Sequence, residues 1–409
     1  MTEAPYVLDP TAADAVAEER RLRARGPATL VDVLGVTAWS VTDPDLLKEL
    51  LTSPDVSKDG RRHWPGFEEA VAGWPLVLWV IVQNMFTAYG EDHGRLRRLV
   101  RPSFAPRRIA ALAGRVEEIT GRLLDELAAG DPAEPVDLRE RFAYPLPLAV
   151  IGELMGVPAE RYPEFRRAVE GIFATTATPA EAAANNAWLY GLFETLIEEK
   201  RATPGDDLTS RLIATRDEEG DGSALTEEEL RDTLMLIVAA GFETTVNLID
   251  QAVVTLLGHP EQLARVQDGR ASWEAVVEET LRLQPPVRHL PLRYAVRDIT
   301  LPDGRVIHRG EAILASYGAA NRHPGWHGES ADSFVLDRGI TQGHLAFGHG
   351  VHLCLGAPLA RLEATTALRA LFTRFPGLRL AVPAGELSPL PSFISSGHTR
   401  VPVVLTPGA

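Results

Sequence analysis

The chain's only cysteine lies in the stretch Phe347-Gly348-His349-Gly350-Val351-His352-Leu353-Cys354-Leu355-Gly356-Ala357-Pro358. The glycines favour a loop that brings Cys354 to the start of a helix, because Pro358 is tolerated in a first helical turn. The free amides and positive dipole end of a helix N-terminus stabilise a thiolate. The stretch therefore predicts a loop that presents one sulfur atom.

Three interpretations of Cys354 follow from the residues alone. The sulfur is a buried inert thiol, the nucleophile of a Cys–His pair, or a metal ligand together with His344, His349 and His352. A Cys–His pair does not require three glycines around the sulfur, whereas a thiolate ligand of haem iron does. Because the cysteine is alone, an intrachain disulfide and any zinc site that needs two or more cysteines are excluded.

Composition narrows the class of protein. The chain has 409 residues, a net charge of −15, 45% hydrophobic and 24% charged residues, which is typical of a globular protein. Only Lys48, Lys58 and Lys200 are lysines, and an acidic chain is a poor partner for nucleic-acid phosphates. No apolar run approaches the ~20 residues of a membrane helix, and the N-terminus lacks a signal-peptide pattern. We expect a cytoplasmic protein with no membrane span.

The pattern along the chain predicts one domain, residues 1–409, because no linker, repeat or low-complexity tract interrupts it. Helical periodicity dominates, and the strongest segment is 227–257, which starts at a Thr226–Glu229 capping box and would be about 46 Å long. Strands are expected at 29–34, 38–41 and 312–316, with a hairpin of 299–301 and 305–308 around Asp303-Gly304. Further helices are predicted at 95–100, 108–127, 146–155, 180–201, 273–283 and 359–375.

A second motif, Ala240-Gly241-Phe242-Glu243-Thr244-Thr245, falls in the middle of the predicted long helix. It follows an apolar run, so its polar groups are expected to be buried and to need hydrogen-bond partners. A threonine hydroxyl can bond back to a backbone carbonyl and open the helical turn. The small residues leave room for a diatomic molecule beside the helix.

Two further patterns carry charge. Glu279 and Arg282 stand three residues apart before Pro285-Pro286, and such a pair on a helix surface contributes only about 0.2–0.5 kcal/mol. His93 and Arg97 are four residues apart, so they share one helix face. Taken singly, these groups are typical of solvated surface charges.

Taken together, the motifs resemble those of the cytochrome P450 family over essentially the full chain. Phe347-Gly-x-Gly-x-His-x-Cys354-x-Gly356 is similar to the haem-binding signature of that family. The resemblance implies a mainly α fold with small β-sheets and a long central helix. It also implies haem b (iron protoporphyrin IX) with Cys354 as the axial ligand of the iron, where a thiolate favours O–O cleavage.

The resemblance assigns roles to other residues. Thr244 would hydrogen-bond dioxygen, and Glu243 would relay protons. Glu279 and Arg282 would be structural, with Arg338 as the third member of their network. The haem propionates would be bound by His93, Arg97, Arg293 and His352.

The implied activity is that of a monooxygenase that uses O2 and electrons from a ferredoxin and its reductase. The chain looks similar to an actinobacterial subgroup with steroid and macrolide-type hydroxylases, so a bulky apolar substrate is expected, with a steroid preferred and a macrolide or other polyketide second. A peroxygenase that uses H2O2 and a haem-based sensor or carrier are the alternatives. Segment 74–82 is expected either to cover the substrate or to be a core strand, and the pocket wall is expected to include Val238, Ala240, Leu290 and Ile394.

A basic segment lies between residues 95 and 108. It contains no Asp or Glu, although the chain as a whole is acidic. A positive patch on an acidic protein would steer and orient an acidic ferredoxin. The six arginines are Arg95, Arg97, Arg98, Arg101, Arg107 and Arg108.

Overall fold

The computed structural model describes residues 4–131, 134–217, 220, 222–338 and 343–406. Helices make up most of these residues, which confirms the predicted mainly α class. The helices are α1 Ala15–Ala24, α2 Pro44–Thr52, α3 Gly60–His63, α4 Phe67–Gly73, α5 Leu78–Ile81, α6 Gly90–Val100, α7 Pro106–Ala111, α8 Ala113–Ala128, α9 Pro145–Met155, α10 Tyr162–Phe173, α11 Pro179–Ala202, α12 Leu208–Ala214, α13 Glu227–Gly241, α14 Glu243–Leu257, α15 Pro260–Gln267, α16 Trp273–Leu283, α17 Tyr317–Asn321, α18 Pro324–His327 and α19 Ala357–Arg374.

The strands form small sheets at the edge of the helical part. One sheet has the order β1-β2-β3-β9-β6-β4, a second has the order β10-β11-β5, and β7 pairs with β8 around the predicted Asp303-Gly304 turn. The strands are β1 Tyr6–Val7, β2 Ala28–Val33, β3 Val36–Val41, β4 Val56–Ser57, β5 Val136–Asp137, β6 His289–Ala295, β7 Ile299–Thr300, β8 Val306–Ile307, β9 Ala312–Ser316, β10 Arg379–Leu380 and β11 Pro402–Val404.

Strand β6 contains a β-bulge. Its pairing with β9 moves from Leu290 opposite Ala315 to Arg293 opposite Ile313, so three steps along β6 match two along β9. Side chains alternate along a strand, and the extra residue brings Leu290 and Arg293 to the same face. The bulge also explains how Pro291, which has no N–H for the ladder, is tolerated inside the sheet.

The long helix predicted at 227–257 is two helices, α13 and α14, that meet at Phe242. The Thr244 hydroxyl donates to the Ala240 carbonyl at 2.7 Å, so a side chain bonds to a carbonyl at the point where the helix is interrupted. Helix α14 packs against α16 and α19 and is buried along nearly its whole length. The stretch Glu227–Leu257 is apolar and long enough for a membrane span, but 72% of its most apolar window is buried inside the protein.

Two other segments differ from expectation. The helix predicted at 108–127 is divided into α7 and α8, because the Leu112 amide bonds to the Ile109 carbonyl in a tighter turn. Segment 74–82 is not a strand; it contains the short helix α5, and the Trp74 indole donates to the Val33 carbonyl at 3.0 Å. The remaining predicted helices agree with the structure to within a few residues, except that α6 begins five residues before 95.

Candidate active site

The cysteine loop is shaped by glycines in the left-handed region. Gly348 and Gly350 both have φ of +72°, and a Cβ atom on Gly350 would lie 2.6 Å from the Leu51 carbonyl oxygen. The Cys354 amide donates to the Phe347 carbonyl at 2.9 Å and closes the loop. Gly350 is therefore required by its contact with the backbone of helix α2.

Cys354 faces a cavity between helices α13–α14 on one side and the cysteine loop on the other. The surrounding protein desolvates the thiol and raises its pKa, and backbone N–H groups of Gly356 and Ala357 at the start of α19 partly offset this by hydrogen bonding. Among the described residues, no group of three or more His, Cys, Asp or Glu side chains is arranged to hold a metal ion. The cluster of His344, His349, His352 and Cys354 is therefore not a metal site of that kind.

The opposite wall of the cavity is one face of α13–α14. Ile237, Ala240, Gly241, Thr244 and Leu248 line it, at the spacing of a helical face. Of the four residues expected in the pocket wall, Ala240 and Leu290 line the cavity, whereas Val238 and Ile394 are buried outside its lining. Val238 is one residue after Ile237 and so is turned about 100° away from this face.

Glu243 lies behind the cavity wall, although Thr244 next to it lines the cavity. The Tyr144 hydroxyl donates to Glu243 Oε2 at 2.8 Å, and the Arg139 guanidinium lies 3.4 Å from Glu243 Oε1. Burial raises the pKa of the Glu243 carboxyl, and the Arg139 charge opposes that shift. Tyr144 also lies 2.9 Å from Glu170, whose side chain is 43% exposed. Glu243, Tyr144 and Glu170 thus form a row of groups with exchangeable protons that runs from the buried carboxyl to solvent.

Basic side chains gather at one end of the cavity. The cavity is lined there by Arg97, Arg293 and His352. The ring centroids of His93 and His352 are 4.2 Å apart. Arg97 donates to the Leu353 carbonyl at 2.9 Å, while Arg293 Nη1 and His93 Nε2 are buried without a hydrogen-bond partner among the described residues. Burial, with the Arg97 charge, lowers the pKa of His93 to about 4. The lining contains no Asp or Glu among the residues that the structure describes.

Glu279, Arg282 and Arg338 form a buried ion network. The Arg282 guanidinium binds both oxygens of Glu279, at 2.7 and 2.8 Å, and Arg338 Nε lies 3.2 Å from Glu279 Oε1. Arg282 also donates to the backbone carbonyl of Ser333. The network joins α16 to segment 331–338.

Segment 74–82 does not line the cavity; Met85 and Phe86, which follow it, do. Trp79 in that segment packs edge-on against Phe173, with ring centroids 5.4 Å apart, and its indole donates to the Ile172 carbonyl. The Trp79 ring also packs edge-on against the ring of Phe86, with centroids 6.0 Å apart, so the segment supports a residue of the lining without lining the cavity itself.

The arginines between residues 95 and 108 have different environments. Arg95 pairs with Glu229, and Arg98 pairs with Asp217 at 3.0 Å. Arg101, Arg107 and Arg108 are exposed and form no ion pair with another described residue. The predicted patch is reduced to these three, since Arg95 and Arg98 pair with acids distant in the sequence and Arg97 lines the cavity.

Sequence reasoning missed two groups. Lys58 is 2% exposed and lines the cavity, and Tyr144 bridges Glu243 and Glu170. The rarity of lysine was the only signal for Lys58, since nothing in its neighbours predicts burial. Tyr144 carries no motif, and only the fold brings it to Glu243.

Comparisons with known proteins agree with this geometry. The cytochrome P450 family model matches residues 187–269 and 273–380. The 2-hydroxy-5-methyl-1-naphthoate 7-hydroxylase of Streptomyces carzinostaticus is 40% identical over 98% of this chain and 97% of its own. The 6-deoxyerythronolide B hydroxylase of Saccharopolyspora erythraea is 39% identical over 94% of each chain.

Solved structures are similar over the full length. CYP154A1 of Streptomyces coelicolor A3(2) is 63% identical, with a TM-score of 0.94 over 98% of this chain and 100% of that one. A testosterone-bound CYP154C4 from Streptomyces sp. ATCC 11861 is 42% identical, with a TM-score of 0.94 over 99% of each chain.

The fold and the similarity to named hydroxylases, which extends over nearly every residue, are those of an oxidoreductase with a cysteine-faced cavity. The chain belongs to the cytochrome P450 family and is a monooxygenase of that family. Members of this family carry a haem iron, and the bacterial members use redox partners and act on small molecules with O2.

Proposed function

We propose that this monooxygenase holds haem b through Cys354 and hydroxylates a bulky apolar substrate, a steroid in preference to a macrolide. The observation that carries the proposal is the cavity itself. One wall presents a single sulfur at a helix N-terminus, the facing wall presents Thr244, and the remaining surface is mostly apolar.

The residues around the cavity fit haem. Its two propionates are carboxylates that need cationic or N–H partners in a poorly solvated place. Arg293 Nη1 and His93 Nε2 are buried polar atoms that lack such partners within the described part of the chain. His93, Arg97, Arg293 and His352 would hold the propionates, and Cys354 would bind the iron. When bound, haem supplies the activation of O2 and the transfer of one oxygen atom to a C–H bond.

Thr244 and Glu243 have separate roles in hydrogen bonding and proton supply. The Thr244 hydroxyl donates to the Ala240 carbonyl at 2.7 Å and presents its oxygen to the cavity. Glu243 is buried behind it, where hydrogen bonding to Tyr144 connects its carboxyl to Glu170. We assign Thr244 to hydrogen-bond a small ligand in the cavity and Glu243 to supply protons to that side of the helix.

The lining supports an apolar substrate held by shape and dispersion. Met85, Phe86, Ile151, Ile237 and Leu290 offer no hydrogen-bonding groups. A steroid suits such a surface because it is rigid and mostly hydrocarbon, and the similar CYP154C4 structure holds testosterone. A macrolide or other polyketide is the second candidate, which the relationship to 6-deoxyerythronolide B hydroxylase favours.

A titration panel tests the substrate class. Steroids and macrolides are added to the oxidised holoenzyme, and the shift of the Soret band from low to high spin is recorded. At least one steroid is expected to shift the band at micromolar concentration. If no steroid shifts the Soret band and a macrolide does, steroids are excluded as the substrate class and macrolides are supported.

A ferredoxin and its reductase are the proposed electron donors, and the cytoplasm is the proposed location. Glu243 and Thr244 argue against a peroxygenase, because a reaction started by H2O2 does not need groups that manage protons for O2. Sustained NADH-dependent product formation with both partner proteins is the expected result. Faster sustained turnover with H2O2 alone than with the partner proteins would indicate a peroxygenase, and haem binding without turnover in either assay would indicate a sensor or carrier.

A further inference from the structure

Lys58 is a buried cation in the cavity lining that the family resemblance does not assign. It follows strand β4 and is 2% exposed. The other two lysines have the usual environments of a lysine, solvent or an acidic partner. Lys48 is exposed, and Lys200 pairs with Asp207 at 2.8 Å. Lysine is almost never buried to this degree unless it is paired.

The contacts of Lys58 leave much of its ammonium group unsatisfied. Nζ donates to the Pro291 carbonyl at 3.1 Å and lies 3.6 Å from the centre of the Phe86 ring. Pro291 belongs to the β6 bulge, where the regular ladder is interrupted. An ammonium has three N–H donors, and no carboxylate pairs with this one among the described residues.

The neighbourhood of Lys58 is strongly positive. Burial lowers the pKa of Lys58 well below its usual value, and the charge of Arg293 adds to that shift. Arg293 is 4% exposed and has its own unpartnered Nη1 atom, and Arg97 lines the same cavity. Buried cations without an acid are unfavourable, so an anion at this end of the cavity would stabilise Lys58 and Arg293.

We propose that Lys58 binds a carboxylate at the Arg293 end of the cavity, and that this carboxylate is a haem propionate. The inference rests on the proposed function and adds a fifth basic residue to His93, Arg97, Arg293 and His352. A substrate carboxylate has the same chemistry. The propionate is the better match because Lys58 and Arg293 line the same cavity, Arg293 is close enough to lower the pKa of Lys58, and the rest of the lining is mostly apolar.

A two-by-two comparison tests the assignment. Wild type and Lys58→Met, which keeps the length of the side chain but removes its charge, are each loaded with haem b or with its dimethyl ester, which lacks free carboxylates. The rate of haem loss to an excess of a scavenger protein is followed at the Soret band. We expect Lys58→Met to lose haem b about tenfold faster than wild type, and the two proteins to lose the ester at equal rates.

Lys48→Met, at an exposed lysine, is the matched control and should lose both haems at the wild-type rate. If Lys58→Met accelerates the loss of both haems equally, Lys58 merely supports the Pro291 bulge. If it accelerates neither, the assignment is wrong.

If Lys58→Met retains haem b normally but loses the Soret response to a naphthoate, the carboxylate belongs to a substrate and the propionate assignment is overturned. A wild-type protein that shows no thiolate-haem spectrum contradicts the proposed function itself. That outcome is distinct from a normal spectrum with no effect of Lys58.

Discussion

Thr244 and Glu243 are adjacent in sequence but occupy opposite sides of the cavity wall. The Thr244 oxygen is at the cavity, and the Glu243 carboxyl is 3% exposed and bound to Tyr144 and Arg139. The hydroxyl can act on a molecule in the cavity without changing the buried charge behind it. This separation allows the two roles to be tested independently.

Removing the Thr244 hydroxyl should uncouple electron use from product formation. We expect Thr244→Ala to consume NADH at a rate near that of wild type, while product per NADH falls about tenfold and H2O2 accounts for the difference. Thr244→Ser, which keeps the hydroxyl, should retain most of the coupling. Unchanged coupling in the alanine variant would contradict the assigned role.

The Tyr144 hydroxyl has one proton but touches two carboxyl groups, at 2.8 Å from Glu243 and 2.9 Å from Glu170. It can donate to only one of them, so the other contact is a hydrogen bond only when that carboxyl is protonated. The row therefore contains a proton that can be exchanged with solvent through the half-exposed Glu170.

Tyr144→Phe should slow the delivery of protons. We expect a decrease of about 100-fold in ferredoxin-supported product formation, within the usual range for a positioned proton donor, and a larger solvent isotope effect because proton transfer becomes rate-limiting. Tyr162→Phe is the control, since Tyr162, at the start of α10, packs against Gly152 and not against Glu243 or Glu170. A normal isotope effect in Tyr144→Phe would assign Tyr144 to packing only.

At the residue scale, the sequence predicted groups that belong to contiguous motifs. Cys354, Glu243 and Thr244 stand in such motifs, and their positions around the cavity follow from local spacing. Lys58 and Tyr144 are single residues whose neighbours carry no signal, and they reach the site because distant segments pack together. Those contacts are tertiary and could not be read from periodicity.

At the scale of elements, the helices were predicted well and their interruptions were not. Apolar periodicity indicated α13 and α14, but the break at Phe242 depends on a bond from the Thr244 hydroxyl to a carbonyl. The β6 bulge likewise depends on pairing with β9, which is distant in sequence. The bulge brings Leu290 and Arg293 to one face, so an irregularity positions both an apolar wall and a cation.

The end of helix α6 and the following turn present the unpaired part of the basic segment. Arg101 lies one helical turn beyond Arg97, whose guanidinium reaches the Leu353 carbonyl in the cysteine loop. Val351 in the same loop is 61% exposed. The proposed ferredoxin would dock here, on an exposed cation one turn from the residue that binds the cysteine loop and on the exposed apolar residue of that loop.

Charge reversal at Arg101 should weaken that docking. We expect Arg101→Glu to slow ferredoxin-supported turnover by about tenfold at low salt, with a smaller difference at 1 M salt, where the Debye length is about 3 Å. Arg309→Glu, at an exposed arginine between β8 and β9, is the control for the change in net charge. Peroxide-supported turnover should be equal in all three proteins, and an equal loss in both assays would place Arg101 in support of the cavity.

At the scale of the whole molecule, three features together define the class of protein. The cysteine loop, the cavity wall of α13–α14 and the basic end of the cavity converge from segments that span most of the chain. The similarity to CYP154A1 likewise covers 98% of the chain. The sequence therefore predicted the architecture and the class of reaction, while the substrate depends on the detailed shape of an apolar wall that no motif specifies.

The most direct test of the account is the spectrum of the reduced protein with carbon monoxide. We predict that the wild type gives the strongly red-shifted Soret band of thiolate-ligated haem, and that Cys354→Ser loses this band while its far-ultraviolet circular dichroism remains helical. A serine variant that kept the band, or a wild type that bound haem without showing it, would contradict the assignment of Cys354 as the iron ligand.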